Sequence, residues 1–480
     1  MLSTPSPSRS MLARFSLLLT SAALAAAAST DAPARPPNIL LIISDDLRDS
    51  VGSYGNRQVR TPHLDAFAAG AVRFDRAYAQ YPVCNPSRAS FLTGLRPETI
   101  GVVNNRTRLR EVMPAVITWP QYLRRHGWYT AAFGKVFHTI GRTEEERAVW
   151  LDRAVSWDEA FYDSAERVPG PIVAGRNLTG GALKWCEWAA VDCADEATPD
   201  GQSATRAIAT MEQAGARPWF IAVGFHRPHD PFISPQKYFD LYPEGSLTLK
   251  RDPADQTPAP PLAIPSGAFK QAFAAFTDRD RLEFLRAYCA GVSFMDAQVG
   301  RVLAAVDRLG ARDNTLVIFM GDNGYHLGER AWWNKDTLFE RSCRVPLLVR
   351  PPASQTGAAA SGAARVCPTP VELVDLFPSV LDYVGLPPPG VLPGRSLRPQ
   401  LDDPARPGKG AATTIVVHGD ARGRTVRTPD WRYTEWTDGT AELYDETRDP
   451  EETRNVAAEP TNTTVIARLK ALLPSEPRKS

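Results

Sequence analysis

Two pairs of oxygen-donor side chains, Asp45-Asp46 and Asp322-Asn323, each follow an apolar run. Neither pair mixes in thiol or imidazole, and such a set suits a hard cation, Ca²⁺ or Mg²⁺, and not zinc. A single Asp after a strand is more often a turn residue or a helix cap; two pairs on separate runs shift the balance to metal. Lysine is scarce, nine against forty-six arginines, so Lys135 in Gly134-Lys135-Val136-Phe137-His138 and Lys335 in Trp332-Trp333-Asn334-Lys335 stand out. An ammonium is a compact point charge suited to a tetrahedral oxyanion. His138, His226 and His229 are three of only seven histidines, and imidazole exchanges protons near neutral pH. One of the pair His226 and His229 can be purely structural. Cys84 opens the run Cys84-Asn85-Pro86-Ser87-Arg88-Ala89-Ser90-Phe91-Leu92-Thr93-Gly94; taken alone, it reads as a buried thiol beside an N-cap serine.

These residues need elements that bring them together. Asn38–Ser44 and 315–320 are β-branched-rich apolar runs ending in the two donor pairs, and 219–224 ends in Phe225-His226-Arg227-Pro228-His229. Runs of this kind are buried parallel strands, and α/β sheets gather ligands at the carboxyl ends of such strands. The three predict one rim carrying Asp-Asp, Asp-Asn and His-x-x-His. Helical periodicity covers 118–126 and 278–309, the latter with Phe284, Tyr288, Val292, Met295, Val299 and Leu303 as core contacts. Residues 250–265 read as a surface loop and 351–364 as a Pro/Gly/Ala/Ser linker. Beyond it, an amphipathic helix over 370–384 and short strands at 411–418, 425–436 and 442–444 predict a small α+β domain. The expected division is a catalytic α/β domain over 31–350 and a smaller domain over 365–470.

A net charge of +1 offers no basic surface for nucleic acid, so an anionic ligand has to be held by a local cluster. Arg9 and Arg14 precede Phe15-Ser16-Leu17-Leu18-Leu19 and an Ala-rich stretch to Ala28, which reads as a signal peptide over 1–30. The mature chain is expected to be exported to a periplasmic, extracellular or lysosomal-type compartment. No later run reaches about 18 uninterrupted apolar residues, so no membrane span is expected. In an exported protein Cys186 with Cys193 would close a short loop as a disulfide. Cys289, in a helical pattern, is expected as a buried free thiol.

The Cys84–Gly94 run resembles the signature of the formylglycine-dependent sulfatases, Cys-x-Pro-Ser-Arg followed by Leu-Thr-Gly. The wider chain, from Asn38 to about Asn455, resembles their iduronate-2-sulfatase branch. Asp45-Asp46-Leu47-Arg48, Ala222-Val223-Gly224-Phe225-His226-Arg227-Pro228-His229, Gly321-Asp322-Asn323-Gly324 and the spacing Lys135-x-x-His138 carry that likeness. Asn323 departs from the branch, where histidine is usual.

The resemblance implies an alkaline-phosphatase-like fold: a large mixed or parallel sheet sandwiched by helices, with a smaller C-terminal α+β domain. It implies a sulfuric ester hydrolase in which a maturation enzyme oxidises Cys84 to formylglycine. One calcium ion would be held by Asp45, Asp46, Asp322, Asn323 and the oxygen of modified Cys84. Arg88 would steady the aldehyde hydrate, Lys135 and His138 would contact its hydroxyls, and Lys335 and His229 would grip the sulfate. Attack on sulfur would give a covalent sulfo-enzyme that His138 helps to resolve. The implied partner is a sulfated saccharide, with uronate 2-sulfate of glycosaminoglycans leading; the arginines at 106, 108 and 110 are candidates for its carboxylate, although such a run more often reads as a solvated surface loop. Two alternatives stand: a phosphonate or phosphate ester hydrolase of the same superfamily, and a sulfoglycan-binding protein without catalysis.

Overall fold

The computed structural model describes residues 35–164, 168–355 and 365–474. The expected signal peptide and most of the 351–364 linker lie outside them. The apolar run becomes strand Asn38–Ser44, buried throughout. It pairs in parallel with strands Trp219–Phe225 and Thr315–Gly321 on either side. Side chains alternate between two separate cores: Leu40 and Ile42 join one, and Ile39, Leu41 and Ile43 join the other. Both faces are covered, which is why the strand reads as a continuous apolar run instead of an alternating one. Each fully buried Leu or Ile adds about 1.5–3 kcal/mol to this core.

The full sheet has nine strands. Its order is Arg365–Cys367, Val72–Tyr78, Arg344–Arg350, Thr315–Gly321, Asn38–Ser44, Trp219–Phe225, Tyr129–Gly134 and Glu159–Phe161, with Val371–Glu372 also pairing on Val72–Tyr78. Arg344–Arg350 runs antiparallel to both neighbours, and the remaining pairings are parallel, so the sheet is mixed.

Helix Asp278–Arg308 crosses one face, started by a capping box between Thr277 and Asp280. Among the described residues it is the one helix long and apolar enough to cross a membrane, and most of that apolar stretch is buried in the core. The 118–126 pattern becomes helix Trp119–Arg125, with Thr118 and Gln121 closing a second capping box. A three-stranded sheet, Ile172–Asn177, Glu187–Val191 and Phe232–Pro235, packs against helix Asp278–Arg308.

Three expectations are corrected. The helix over 370–384 begins only at Leu376, because Val371 and Glu372 are taken by the edge of the large sheet, opposite Ala77 and Tyr78. The stretch 425–436 is two strands: the C-terminal sheet is a meander of Ala412–His418, Ala421–Arg427, Trp431–Trp436 and Ala441–Asp445. Cys186 and Cys193 are both free. They flank strand Glu187–Val191, and seven residues at roughly 3.3 Å each separate them well beyond disulfide reach. Cys289 is a buried free thiol, as expected. The C-terminal meander shares the main core, with Ala412, Ile415 and Val416 in the same cluster as Leu40.

Candidate active site

Register explains why the chemistry-bearing residues meet. Ser44 pairs with Gly321 on one side and Phe225 on the other, so Asp45, Asp322 and His226 leave the sheet at the same level. Lys135 joins them because Gly134 pairs with Gly224 and the Lys135 amide donates to the Gly224 carbonyl at 2.7 Å. That approach leaves no room for a side chain: a Cβ on Gly224 would stand 2.0 Å from the Lys135 carbonyl oxygen. Gly134 itself turns at φ 75°.

Cys84 is the first residue of helix Cys84–Thr93 and is fully buried. Its Sγ lies 2.8 Å from Lys335 Nζ, 3.9 Å from Lys135 Nζ and 3.8 Å from Asp46 Oδ1. Lys335 also contacts Asp46, and Lys135 contacts Asp45. Arg88, one turn along the same helix and fully buried, donates from Nε to Asp322 Oδ2 at 2.8 Å and from Nη2 to Asp45 Oδ1 at 3.2 Å. Three cations thus face three carboxylates in a buried centre, with the two lysines and His229 on its accessible side. Asn323 Nδ2 donates to Asp46 Oδ1 at 2.8 Å, and Asp322 Oδ1 accepts from the Asp46 amide at 3.0 Å. Asp46 Oδ2 and Asn323 Oδ1 are buried without a hydrogen-bond partner. Buried, unpartnered hard oxygens among carboxylates fit a divalent cation of the calcium or magnesium type.

The two histidines of the 225–229 segment separate. His226 Nδ1 lies 3.1 Å from Asp200 Oδ1, and Asp200 also accepts from the His226 and Arg227 amides at 2.8 and 3.0 Å, so this histidine is structural. His229 Nε2 faces the centre, 3.6 Å from Asp46 Oδ2 and 3.9 Å from Asp45 Oδ2, while its Nδ1 bonds the Asp230 carbonyl. His138 is buried with Nδ1 unpaired, its ring edge-on to Trp150.

Burial and neighbouring charge set the protonation states. Burial raises the Asp45 carboxyl, but Lys135, His229 and Arg88 outweigh it and hold it well below the usual carboxylate range. Burial pushes Asp322 up to about 7 against the pull of Arg88. Burial, reinforced by Asp45, drives the Cys84 thiol well above its ordinary value. An unmodified thiol here stays protonated and is a poor nucleophile. Burial and Lys135 keep His138 and His229 well below their ordinary value, so both are neutral. Burial opposes the charge on Lys335, but the Asp46 carboxylate, helped by Asp45, overcomes it and keeps the ammonium protonated.

Sequence reasoning missed several supports of this centre. Tyr288, read there as a core contact, donates its hydroxyl to the Asp46 carbonyl at 2.7 Å and accepts from the Arg48 amide at 3.2 Å. Asp230 is pushed by burial and Asp46 up to about 7, and its place beside His229 was the available signal. Asp200 gives no signal of its own. In the arginine cluster, Arg110 is held by Asp152 at 2.8 and 3.0 Å and Arg108 pairs with Glu111. Arg106 is exposed, on a loop pinned to the residue after Cys84, since Asn85 Nδ2 donates to the Asn104 and Thr107 carbonyls at 2.8 Å and the Asn85 amide to Asn105 Oδ1 at 3.0 Å.

Residues 37–386 match the family described as Sulfatase, and 328–479 match the C-terminal part described as N-sulphoglucosamine sulphohydrolase. The iduronate 2-sulfatase of mouse (Mus musculus) is 34% identical over 448 residues, covering 84% of this chain and 78% of that protein. Among solved structures, the phosphonate monoester hydrolase of Agrobacterium radiobacter superposes with a TM-score of 0.70 at 23% identity, over 91% of this chain and 94% of that one. A protein described as a 2-O GAG sulfatase superposes at 0.66 and 22% identity, over 91% of each chain. The two structures show the alkaline-phosphatase-like fold, the sequence matches span most of the chain, and the signature cysteine sits at the buried centre: this chain belongs to the sulfatase family.

Proposed function

We propose that the chain removes sulfate from sulfated saccharides, with uronate 2-sulfate as the substrate group. Its working form would carry formylglycine at Cys84, made by a maturation enzyme, and one Ca²⁺ at Asp45, Asp46, Asp322, Asn323 and modified residue 84. The observation that carries the reading is the approach of Lys335 Nζ to within 2.8 Å of Cys84 Sγ, with Lys135 at 3.9 Å. Two ammonium groups beside residue 84 are what a doubly flanked oxyanion needs. The hydrated aldehyde would supply the hydroxyl nucleophile and the cation would polarise a sulfate oxygen.

The chain's own residues divide the remaining work. Arg88 balances Asp45 and Asp322 so that the carboxylates stay together. Neutral His138 is able to accept a proton, and neutral His229 offers Nε2 to the centre. Lys335 and His229 would grip the sulfate, and one of the two would supply the proton for the departing alcohol; Lys335 holds a proton at neutral pH. Uronate specificity is supported by the likeness to the mouse iduronate 2-sulfatase and by exposed Arg106, a cation outside the sulfate-binding set. Export through the segment 1–30 belongs to the same proposal.

The test is a panel of 2-O-, 4-O- and 6-O-sulfated oligosaccharides, an aryl sulfate and a phosphonate monoester, compared by kcat/KM. Preference for the uronate 2-sulfate supports the reading. Preference for another sulfated sugar keeps the chemistry and refutes the substrate, and preference for the phosphonate places the chain with the phosphohydrolases. Binding without turnover by fully formylglycine-bearing protein would leave only the sulfoglycan-binding alternative.

A further inference from the structure

The rim of the sheet opposite Cys84 carries a second group of cations. Arg344–Arg350 runs against its neighbours, so its last residue emerges at the amino ends of the parallel strands. Arg350 pairs in register with Val317, five residues before Asp322, which places it roughly 15 Å or more along the sheet from the catalytic rim. The Arg350 residue is only 9% exposed, and its Nε and Nη2 atoms are buried with no hydrogen-bond partner. Its guanidinium lies 5.3 Å from the centre of the Phe67 ring.

Arg350 lines a 500 Å³ cleft together with Arg312, His63, Gly70 and Asp307. Arg312 Nη2 stands 3.5 Å from where a Cβ on Gly70 would lie, and burial, reinforced by the Arg312 charge, depresses the Arg350 guanidinium. Among the described residues neither arginine forms an ion pair, and Asp307 attracts Arg350 without closing on it. Leaving donors of a buried charge unmade is costly, and two guanidinium forks facing one cleft suit the oxygens of a tetrahedral anion.

We propose that Arg350 and Arg312 form a second oxyanion site, which takes a sulfate or phosphate group at the rim opposite the catalytic centre. The group arrives either as the free inorganic ion or as an ester on a sulfated chain. Both present the same oxygens to the two forks. The site stands independently of the reading at Cys84, because none of its residues touches that centre.

Calorimetric titration of the full chain with sodium sulfate, sodium phosphate and a sulfated oligosaccharide, at ionic strength held constant with chloride, tests this. Lys335→Ala protein is used so that the catalytic centre binds sulfate weakly. That protein should still bind one anion, and adding Arg312→Gln should weaken the binding by about tenfold or more. Arg312 is exposed, so the substitution leaves the fold intact where Arg350→Gln risks it. Arg312→Gln alone should leave turnover of a small sulfate ester within about twofold of wild type. Arg312-dependent binding of an inorganic ion identifies the free source, and of the oligosaccharide alone the ester. Loss of all binding on Lys335→Ala, or anion binding indifferent to both Arg312→Gln and Arg350→Gln, would overturn the proposal.

Discussion

Lys335 Nζ lies 2.8 Å from Cys84 Sγ across 251 residues of sequence, and the same ammonium contacts Asp46. One side chain thereby ties the residue expected to carry the nucleophile to a carboxylate expected to carry the cation. Lys335→Ala should lower kcat/KM for sulfate esters by about 10²–10³, the size of effect seen when one oxyanion donor is removed. Lys335→Arg should restore little, because a planar fork does not fill the place of a point charge. Steady-state kinetics on fully matured protein decide this, and an unchanged kcat/KM in Lys335→Ala would remove the residue from the mechanism.

Arg88 is a structural requirement before it is a catalytic one. It bonds Asp45 and Asp322 in a setting where all three side chains are fully buried. Arg88→Gln leaves buried Asp322 without its cation and Asp45 with Lys135 alone, at a cost of about 3–5 kcal/mol. Urea unfolding should show a lower midpoint with an unchanged slope. A midpoint equal to wild type would mean that Asp322 does not depend on Arg88 for its charge balance.

Much of this centre was legible in the sequence. The runs 38–44 and 315–320 announced buried parallel strands, and the pairing of Ser44 with Gly321 brings the two donor pairs together as expected. The supports were not legible. Tyr288 reaches the centre from helix Asp278–Arg308 and Asp200 holds the 226–227 backbone from helix Pro199–Gln213, and a helix pattern reports which face is buried without reporting what a hydroxyl or carboxylate meets there. The proposed Cys186–Cys193 bridge failed because spacing alone does not reveal an intervening strand. The helix at 370–384 was placed six residues early because edge pairing of Val371 and Glu372 overrides the local amphipathic pattern.

The C-terminal sheet braces the Lys335 loop through a titrating pair. His418 Nε2 lies 3.3 Å from Asp336 Oδ2, and the Asp336 amide donates to the Pro82 carbonyl at 3.1 Å. Burial opposes the imidazolium, but Asp336 outweighs it and raises the His418 value above the ordinary one. A histidine raised in the folded state stabilises fully below its unfolded value, about 6.5, and that contribution is lost as pH rises through the folded value. His418→Gln should therefore cost most below about pH 6, by no more than about 1 kcal/mol for a partly exposed pair, and least in alkali. A cost independent of pH would show that packing, not charge, is what His418 provides.

Metal removal should be felt in stability as well as rate. Exhaustive chelation should lower both turnover and melting temperature, with Ca²⁺ restoring them, since a ligand at about 100 times its Kd adds about 2.7 kcal/mol. Asp46→Asn should resemble the chelated protein and respond weakly to added Ca²⁺. Rate and melting temperature untouched by chelation would contradict the cation assignment at Asp45, Asp46, Asp322 and Asn323.

Cys84 is the pivot of the centre, and its thiol is buried, protonated and unsuited to attack sulfur by itself. The mass of the peptide containing residue 84, measured on protein co-produced with a formylglycine-generating enzyme and paired with turnover of a sulfate ester, tests it directly. The predicted result is an aldehyde at position 84 in proportion to activity, with none of that activity in Cys84→Ala. Full turnover from protein that carries only the unmodified thiol would contradict the account.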